Sequence, residues 1–304
     1  MTSRLTLAQL RAFVAVADAG GFGSAAAELN MSQSSLSDGV QGLERVVGRP
    51  LFHRSAGGVR LTPAGERALA YARRAIEAAN DVQAVIDDDD ALTGSLNVAT
   101  YRSLGVHVLP AVMAALHRQH PKLTVHLLDG ESDGNGGYRL VEEGRADVGL
   151  LQLDRATPLL TWPLMTDEYF AVFPRSRGRH PVSWHEFQAQ PLLMPSASDT
   201  CHANVRAHLD RHAGVAGALS EVPDDNVILS MVEHGLGVTV MADLAMRPLS
   251  PQLLALPLPV PLTRTLGVVV KPGRSGLPHI RALIESVRAC MANIQANAAD
   301  VPTP

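Results

Sequence analysis

The run from Ser32 to Glu44 reads Ser-Gln-Ser-Ser-Leu-Ser-Asp-Gly-Val-Gln-Gly-Leu-Glu and pairs an apolar stripe with a hydrogen-bonding face. Leu36, Val40 and Leu43 fall at i, i+4 and i+7, one side of an amphipathic helix. The other side offers Gln33, Ser34, Ser37, Asp38 and Gln41, with Gly39 and Gly42 expected among them. Short carboxamides, hydroxyls and a carboxylate donate and accept at close range, which is the chemistry needed to meet base edges in a major groove. A surface helix selected for stability alone would carry more Glu, Lys and Ala. Arg54 and Arg60 follow at the base of an expected hairpin, where a guanidinium can reach a phosphate. The expectation is a helix that reads DNA. Asp38 either accepts from a cytosine amino group or is a carboxylate that is solvated or paired with Arg45.

A second set of residues suits a small anion. Thr100-Tyr101-Arg102-Ser103 and Ser196-Ala197-Ser198-Asp199-Thr200 each stand between an expected strand and an expected helix. Hydroxyls and open backbone N–H groups at a helix start favour a carboxylate, although capping alone also explains such residues. Thr100, Arg102, Ser103, Ser196, Ser198 and Thr200 are the candidate effector contacts, with Gly130 and Glu131 as a third edge. Cys201 would open the following helix, where the dipole lowers a thiol pKa. His208 and His212 stand at i, i+4 with His202 nearby, but a zinc site needs another ligand of suitable geometry. They are expected to be solvent-exposed, with no metal bound.

The bulk of the chain limits what these residues can be part of. Its 304 residues suit two or three domains, and the 46% hydrophobic content supports sizeable cores. A net charge of −4 excludes a protein that binds polyanions with its whole surface, so any nucleic-acid contact is local. Lys122 and Lys271 are the only lysines, a composition bias with little functional weight. Two distant cysteines make no disulfide framework and suit a reducing compartment. With no signal-peptide pattern at the start and no membrane-length apolar window, a soluble cytoplasmic protein without a membrane partner is expected. There is no glycine-rich phosphate loop, nucleophile elbow or metal-ligand cluster. No enzyme and no cofactor is indicated.

The elements that position the first set come early. Leu7, Leu10, Phe13, Val14 and Ala17 keep helical spacing up to Gly20-Gly21, and an alanine-rich helix follows from Gly23 to Leu29. Asn30-Met31 turns the chain, and Ser32 is the N-cap of the third helix. Two helices joined by so short a turn form a helix-turn-helix motif. Leu51-Phe52-His53-Arg54 and Val59-Arg60-Leu61 flank Ser55-Ala56-Gly57-Gly58 as a wing. Thr62-Pro63 starts a long helix with a seam of Leu69, Ala72, Ile76, Ala79, Gln83 and Ile86. That seam is expected to pair with a second copy, and the acidic run Asp87 to Asp90 to act as a hinge.

Residues 5 to about 90 resemble the N-terminal domain of LysR-type transcriptional regulators. The resemblance rests on Leu10, Phe13, Phe22, Ala25-Ala26, Leu29, Ser32-Gln33, Leu36-Ser37, Leu43-Glu44, Gly48, Leu51-Phe52, Arg54, Leu61-Thr62 and Gly65. It implies that Gln33, Ser34, Ser35 and Ser37 approach bases or phosphates, and that Arg54 and the wing contact phosphates. Asp38, Ser24 and Gln41 stand where the family commonly has basic residues. In residues 1–61, Arg4, Arg11, Arg45, Arg49, Arg54 and Arg60 face only Asp18, Glu28, Asp38 and Glu44. A shallow salt dependence of DNA binding follows.

From Gly94 strands alternate with helices, the mark of a parallel sheet covered by helices. Strands are expected at Ser95–Thr100, Leu123–Leu128, Asp147–Leu151, Leu192–Met194, Gly237–Met241 and Leu266–Val270, with a strand pair at Leu159–Leu164 and Tyr169–Phe173. Helices are expected at Leu104–Gln119, Tyr138–Glu143, Cys201–His212, Asn226–His234 and from Leu277 to about Ile294, the last returning to the first lobe. Two such units joined by crossing strands resemble the effector domain of the same family; Leu236 to Met241 and Arg264-Thr265-Leu266-Gly267 are family-like. The fold class is an α/β effector domain, two-lobed and periplasmic-binding-protein-like, preceded by an all-α winged helix-turn-helix domain and a long linker helix. The domains are residues 1–61, the linker and hinge 62–90, and the effector domain 91–304, with lobe I at 91–163 and 265–304 and lobe II at 164–264. The reading is a sequence-specific DNA-binding regulator controlled by a small anionic effector between the lobes. It dimerises through the linker helix and, as the resemblance implies, assembles a tetramer. The DNA contacts would be Ser32, Gln33, Ser34, Ser35, Ser37, Asp38, Gln41, Arg54 and Arg60. The alternative is a single-cysteine redox sensor using Cys201, since peroxide-sensing members of this family carry a reactive cysteine in that region. An enzyme or solute-binding module fused to a DNA-binding domain is the remote one.

Overall fold

The computed structural model describes residues 4–55, 58–86, 92–130, 136–195, 202–214, 219–222 and 224–299. The chain divides into two compact units, the first comprising Met1–Asp88 and Glu143–Arg145 and the second Asp89–Glu142 and Ala146–Pro304. The acidic run Asp87 to Asp90 lies outside the described residues.

The first unit is three short helices, a two-stranded wing and a long helix. α1 (Leu7–Ala19) opens on a capping box, Thr6 with Gln9, and ends at the left-handed Gly20. α2 (Phe22–Glu28) leads through the turn at Asn30, φ 50°, into α3 (Gln33–Val47). Leu36, Val40 and Leu43 pack with Leu10, Phe13, Val16, Ala25 and Phe52 in one core. Gly39 and Gly42 do not share the polar face as expected. A Cβ on Gly39 would stand 3.1 Å from the Ala12 Cβ, and one on Gly42 2.8 Å from Gln9 Nε2. These two positions let α3 lie close against α1, a packing role in place of a contact role.

β1 (Phe52–Ser55) pairs antiparallel with β2 (Gly58–Leu61), placing His53 opposite Arg60 and Arg54 opposite Val59. Thr62 then caps α4 (Pro63–Ile86): its hydroxyl accepts from Gly65 N at 3.0 Å and donates to Pro50 O at 3.0 Å. Any Cβ at Gly65 would come within 2.2 Å of Leu51 O, so only glycine allows α4 to start against the wing. The expected seam of α4 is divided. Ala72 is buried and Leu69 and Ile76 pack on the first unit's own core, while Tyr71, Val82, Val85 and Ile86 are 60–72% exposed. Of these exposed side chains Ile86 lies on the expected seam, Val82 and Val85 lie beside it at the far end of α4, and Tyr71 lies nearer its start.

The second unit is built on a twisted mixed sheet in the order β10-β6-β11-β5-β3-β4. β3 (Thr93–Thr100), β4 (Lys122–Asp129) and β5 (Val148–Gln152) run parallel, so their carboxyl ends share one edge. The segment expected as a strand pair is one continuous strand, β6 (Leu160–Pro174). Residues Leu160 to Glu168 pair with β11 (Thr263–Val270), and Tyr169 to Pro174 pair with β9 (Thr239–Ala242) and β10 (Leu253–Pro257). Its two halves do not fold back on each other because each pairs with different strands of the sheet, and β6 thereby joins the lobes. β7 (Leu192–Met194) and β8 (Leu219–Glu221) extend the second lobe in parallel.

The helix expected over Leu104–Gln119 is two, α5 (Arg102–His107) and α6 (Leu109–Gln119), broken at Val108 because Pro110 suits only a helix start. α7 (Gly136–Glu142) covers the other face of the sheet. The second lobe adds α8 (Trp184–Ala189), α9 (Ala203–His212) and α10 (Asp225–Glu233). α11 (Pro278–Ala299) returns to the first lobe, where Ile280, Leu283 and Val287 join Val98, Leu104 and Leu150.

Candidate functional site

The face of α3 is built from its N-terminus. The Ser32 hydroxyl accepts from Ser35 N at 3.1 Å and lies 2.9 and 2.8 Å from the hydroxyls of Ser34 and Ser35. The cap thus gathers three exposed hydroxyls at the positive end of the helix dipole. Gln33, Asp38 and Gln41 are exposed and Ser37 is half-buried, its hydroxyl accepting from Gln41 Nε2 at 3.3 Å. Asp38 has no ion-pair partner among the described residues, and Arg45 turns instead to Gln41 O at 3.4 Å. Of the states open to Asp38, the pair with Arg45 does not form, and the carboxylate is exposed.

Glu44 fixes the wing to this helix. Its Oε1 accepts from Leu51 N at 2.7 Å and Phe52 N at 3.3 Å, and its Oε2 lies 3.8 Å from Arg54 Nη2. The Arg54 guanidinium rests 4.7 Å from the centre of the Phe22 ring. Arg54 is held between a carboxylate and an aromatic face yet stays exposed, and Arg60 is exposed on the partner strand. A carboxylate at position 44, at the end of an apolar stripe, is the sequence's signal for this tie, although the N–H groups that donate to it lie seven and eight residues away.

The second candidate site lies at the carboxyl edge of β3, β4 and β5. Arg102, at the first position of α5, points to lobe II: its Nη1 is 3.5 Å from Asp224 Oδ2. Asp224 also caps α10, accepting from Asn226 N at 2.8 Å and Val227 N at 3.4 Å. The cation of one lobe already holds a carboxylate of the other. Ser103 is buried, and its hydroxyl accepts from Arg264 Nη2 at 3.2 Å. Arg264 and Asp167 are cross-strand partners of β11 and β6, bonded at 2.9 Å between Nε and Oδ2. Asp167 Oδ1 accepts from Leu244 N at 3.1 Å, at the turn after β9. Thr100 is buried, its hydroxyl donating to Tyr101 O at 3.1 Å. Gly130 closes β4 on β3, its N–H donating to Thr100 O at 2.9 Å; a Cβ there would meet that oxygen at 3.0 Å. Glu131, Ser196, Ser198, Thr200 and Cys201 lie outside the described residues.

Sequence reading missed Gln152, Asp167 and Asp224. Gln152 closes an apolar run, Asp167 interrupts one and Asp224 opens a helix, signals that exist but name no partner. On α7, Tyr138 donates its hydroxyl to Gln152 O at 2.9 Å and lies under the Arg155 guanidinium. Burial, helped by the Asp154 carboxylate, pushes this phenol up to about 12. The histidines of α9 are not exposed as expected. His202 and His208 are buried and His212 is half-buried; Trp184 stacks on His212, and His208 Nε2 lies 3.0 Å from Val260 O. Burial holds His208 below its ordinary value, the state of a neutral packed imidazole. Cys290 packs its thiol beside Val108 O, and burial pushes it up, away from thiolate chemistry. Among the described residues no helix is long and apolar enough to cross a membrane.

Comparison with known proteins covers both units. The profile of bacterial regulatory helix-turn-helix proteins of the lysR family matches residues 7–66, and that of the LysR substrate binding domain matches residues 89–292. A relative from Synechococcus elongatus, described as the probable HTH-type transcriptional regulator LrrA, is 30% identical over 295 residues, 96% of this chain and 99% of its own. A probable hydrogen peroxide-inducible genes activator of Streptomyces viridosporus is 31% identical over 256 residues, 80% of this chain and 79% of its own. A full-length OxyR variant from Pseudomonas aeruginosa shares the fold with a TM-score of 0.72 at 24% identity, covering 94% of this chain and 96% of that one. The regulator CbnR shares it with a TM-score of 0.62 at 21% identity, covering 94% of this chain and 99% of that one.

Proposed function

The chain belongs to the LysR family of bacterial transcriptional regulators, and from that premise we propose how its DNA reading is placed and controlled. Gln33, Ser34, Ser35, Ser37, Asp38 and Gln41, with the Ser32 cap, meet bases and phosphates in the major groove. Arg54 and Arg60 of the wing meet the flanking backbone. The exposed Val82, Val85 and Ile86 at the end of α4 pair two chains, and effector domains then join dimers into a tetramer. A small anionic effector enters at Thr100, Arg102 and Gly130, with Glu131 and the Ser196–Thr200 segment as its further edges.

The observation that carries the control is the Arg102–Asp224 pair, 3.5 Å apart and bridging the lobes. Asp224 stands where an effector carboxylate would stand, so binding is an exchange of one carboxylate for another. A half-exposed pair of this kind contributes about 0–1 kcal/mol, weak enough for a ligand to replace. The test is a footprint on the DNA beside the protein's own gene. Wild-type protein should protect a site there; no protection would remove the DNA reading at this locus. Asp224→Asn removes the carboxylate that faces Arg102 while keeping a capping side chain, and should alter the protected length as an effector does. An unchanged footprint would sink the exchange and leave the DNA reading intact.

Relatives described as hydrogen peroxide-inducible genes activators favour a second reading, Cys201 as a single oxidisable thiol. Peroxide treatment followed by mass spectrometry decides it: Cys201 left unmodified removes the idea.

A further inference from the structure

Gln152 ends β5, and its side chain is placed by strand register. Leu150 lies opposite Thr100 of β3, and Gln152 opposite Leu266 of β11. Neighbouring residues in register share a face, and residues two apart along a strand share it too. Thr100, Leu150, Gln152, Leu266 and Arg264 therefore line one face, and Arg264 carries Ser103 of α5 against it at 3.2 Å. Gln152 stands two residues beyond the level of Thr100, at the carboxyl edge where open α/β sheets bind ligands.

The residue is 1% exposed, and its Oε1 is buried with no hydrogen-bond partner among the described residues. Its main-chain carbonyl is satisfied by Tyr138, so the orphan is the side chain alone. A buried amide oxygen without a donor destabilises a fold, and a residue kept only for packing would be apolar, as Leu150 and Leu266 beside it are. A carboxamide in such a place waits for a donor that arrives with a ligand.

We propose that Gln152 is a specificity-determining contact of the effector site, selecting a small carboxylate that also carries a hydroxyl or amino group. The Gln152 oxygen accepts from that donor, while the carboxylate takes the place of Asp224 on Arg102. The proposal rests on the effector-cleft reading given above. It adds that a plain carboxylate of the same size binds more weakly, since it leaves the amide oxygen unsatisfied.

Two measurements on the full chain test it. Without ligand, Gln152→Leu removes the orphaned amide at nearly equal volume, and the melting temperature of the effector domain should rise by about 2–4 °C. A fall of similar size would show that the amide holds the fold and would overturn the proposal. With ligand, lactate is compared with propionate and salicylate with benzoate, by calorimetry. The hydroxy acid of at least one pair should bind the wild type about five- to tenfold more tightly, and Gln152→Leu should erase that preference. Equal binding within both pairs, a preference that survives in Gln152→Leu, or no binding by any acid would each overturn the proposal. The Asp224→Asn footprint judges the effector-cleft reading separately, because it needs no ligand.

Discussion

The two units hold their polar side chains in opposite states. On α3, Gln33, Ser34, Ser35, Asp38 and Gln41 are exposed, and their internal bonds are short-range ones within the helix itself. At the carboxyl edge of the effector sheet, Thr100, Ser103, Gln152, Asp167 and Arg264 are all buried, and most are bonded across long stretches of sequence. On the function proposed above, the first surface would bind by addition: water leaves and a groove arrives. The second would bind by exchange: an internal partner is replaced, as Asp224 on Arg102, or an orphan satisfied, as Gln152. Addition makes affinity depend on charge and salt, whereas exchange makes it depend on the stability of the unliganded form.

The largest test of this contrast is at Asp167, whose carboxylate takes Arg264 Nε at 2.9 Å and Leu244 N at 3.1 Å. Asp167→Asn keeps the shape and removes the charge, leaving Arg264 facing a neutral amide in the core. Breaking a buried pair from one side costs about 3–5 kcal/mol, so the effector domain should melt about 10 °C or more lower. Replacing both partners, Asp167→Leu with Arg264→Met, should recover most of the loss, because the penalty belongs to the stranded charge. Removing an exposed hydroxyl from α3, as in Ser34→Ala, should change stability by no more than about 0.5 kcal/mol. If Asp167→Asn melts within about 2 °C of the wild type, the pair is not a fixed part of the fold and the contrast fails.

Legibility follows the same division. The face of α3 was readable because an apolar period of three to four residues leaves its polar complement outside, and no distant partner is needed to interpret it. Its glycines were misplaced for a local reason: small residues look polar by company, yet Gly39 and Gly42 sit where α1 crosses, against Ala12 and Gln9. The seam of α4 was drawn as one line, but a helix longer than its domain changes neighbours along its length, from the core at Ala72 to open surface at Ile86. The single strand β6 reads as two in the sequence because apolar composition shows where strands run and cannot show which partner strands each half takes. At the cleft, Thr100, Arg102 and Ser103 stood out by type. Their partners Asp224 and Arg264 stand over a hundred residues on, and nothing local marks Ser103 as a support for Arg264 or Gln152 as an orphan. Histidine spacing on α9 misled in the same way: Trp184 and the Val260 carbonyl, both distant in sequence, bury what looked like a surface pair.

The smallest expected effect sharpens the other half of the comparison. Asp38 is exposed on α3, has no ion-pair partner among the described residues, and stands among residues with little positive charge. If this surface binds by addition, its charge enters the affinity directly. Asp38→Arg should raise affinity for non-specific DNA several-fold at low salt and steepen the plot of log affinity against log salt by about 0.9 for each phosphate newly neutralised. The melting temperature should stay unchanged, because the side chain touches nothing that the fold needs. Fluorescence anisotropy over a salt series reads both quantities, on a random duplex and on the protected site. A fall in affinity on every sequence would mean that Asp38 makes a contact of its own, with a cytosine amino group or with the rest of the reading head, and that α3 too carries a group that must be satisfied. A gain on the random duplex with a loss only on the protected site separates the two roles: the wild-type carboxylate then lowers general affinity and gives discrimination in exchange.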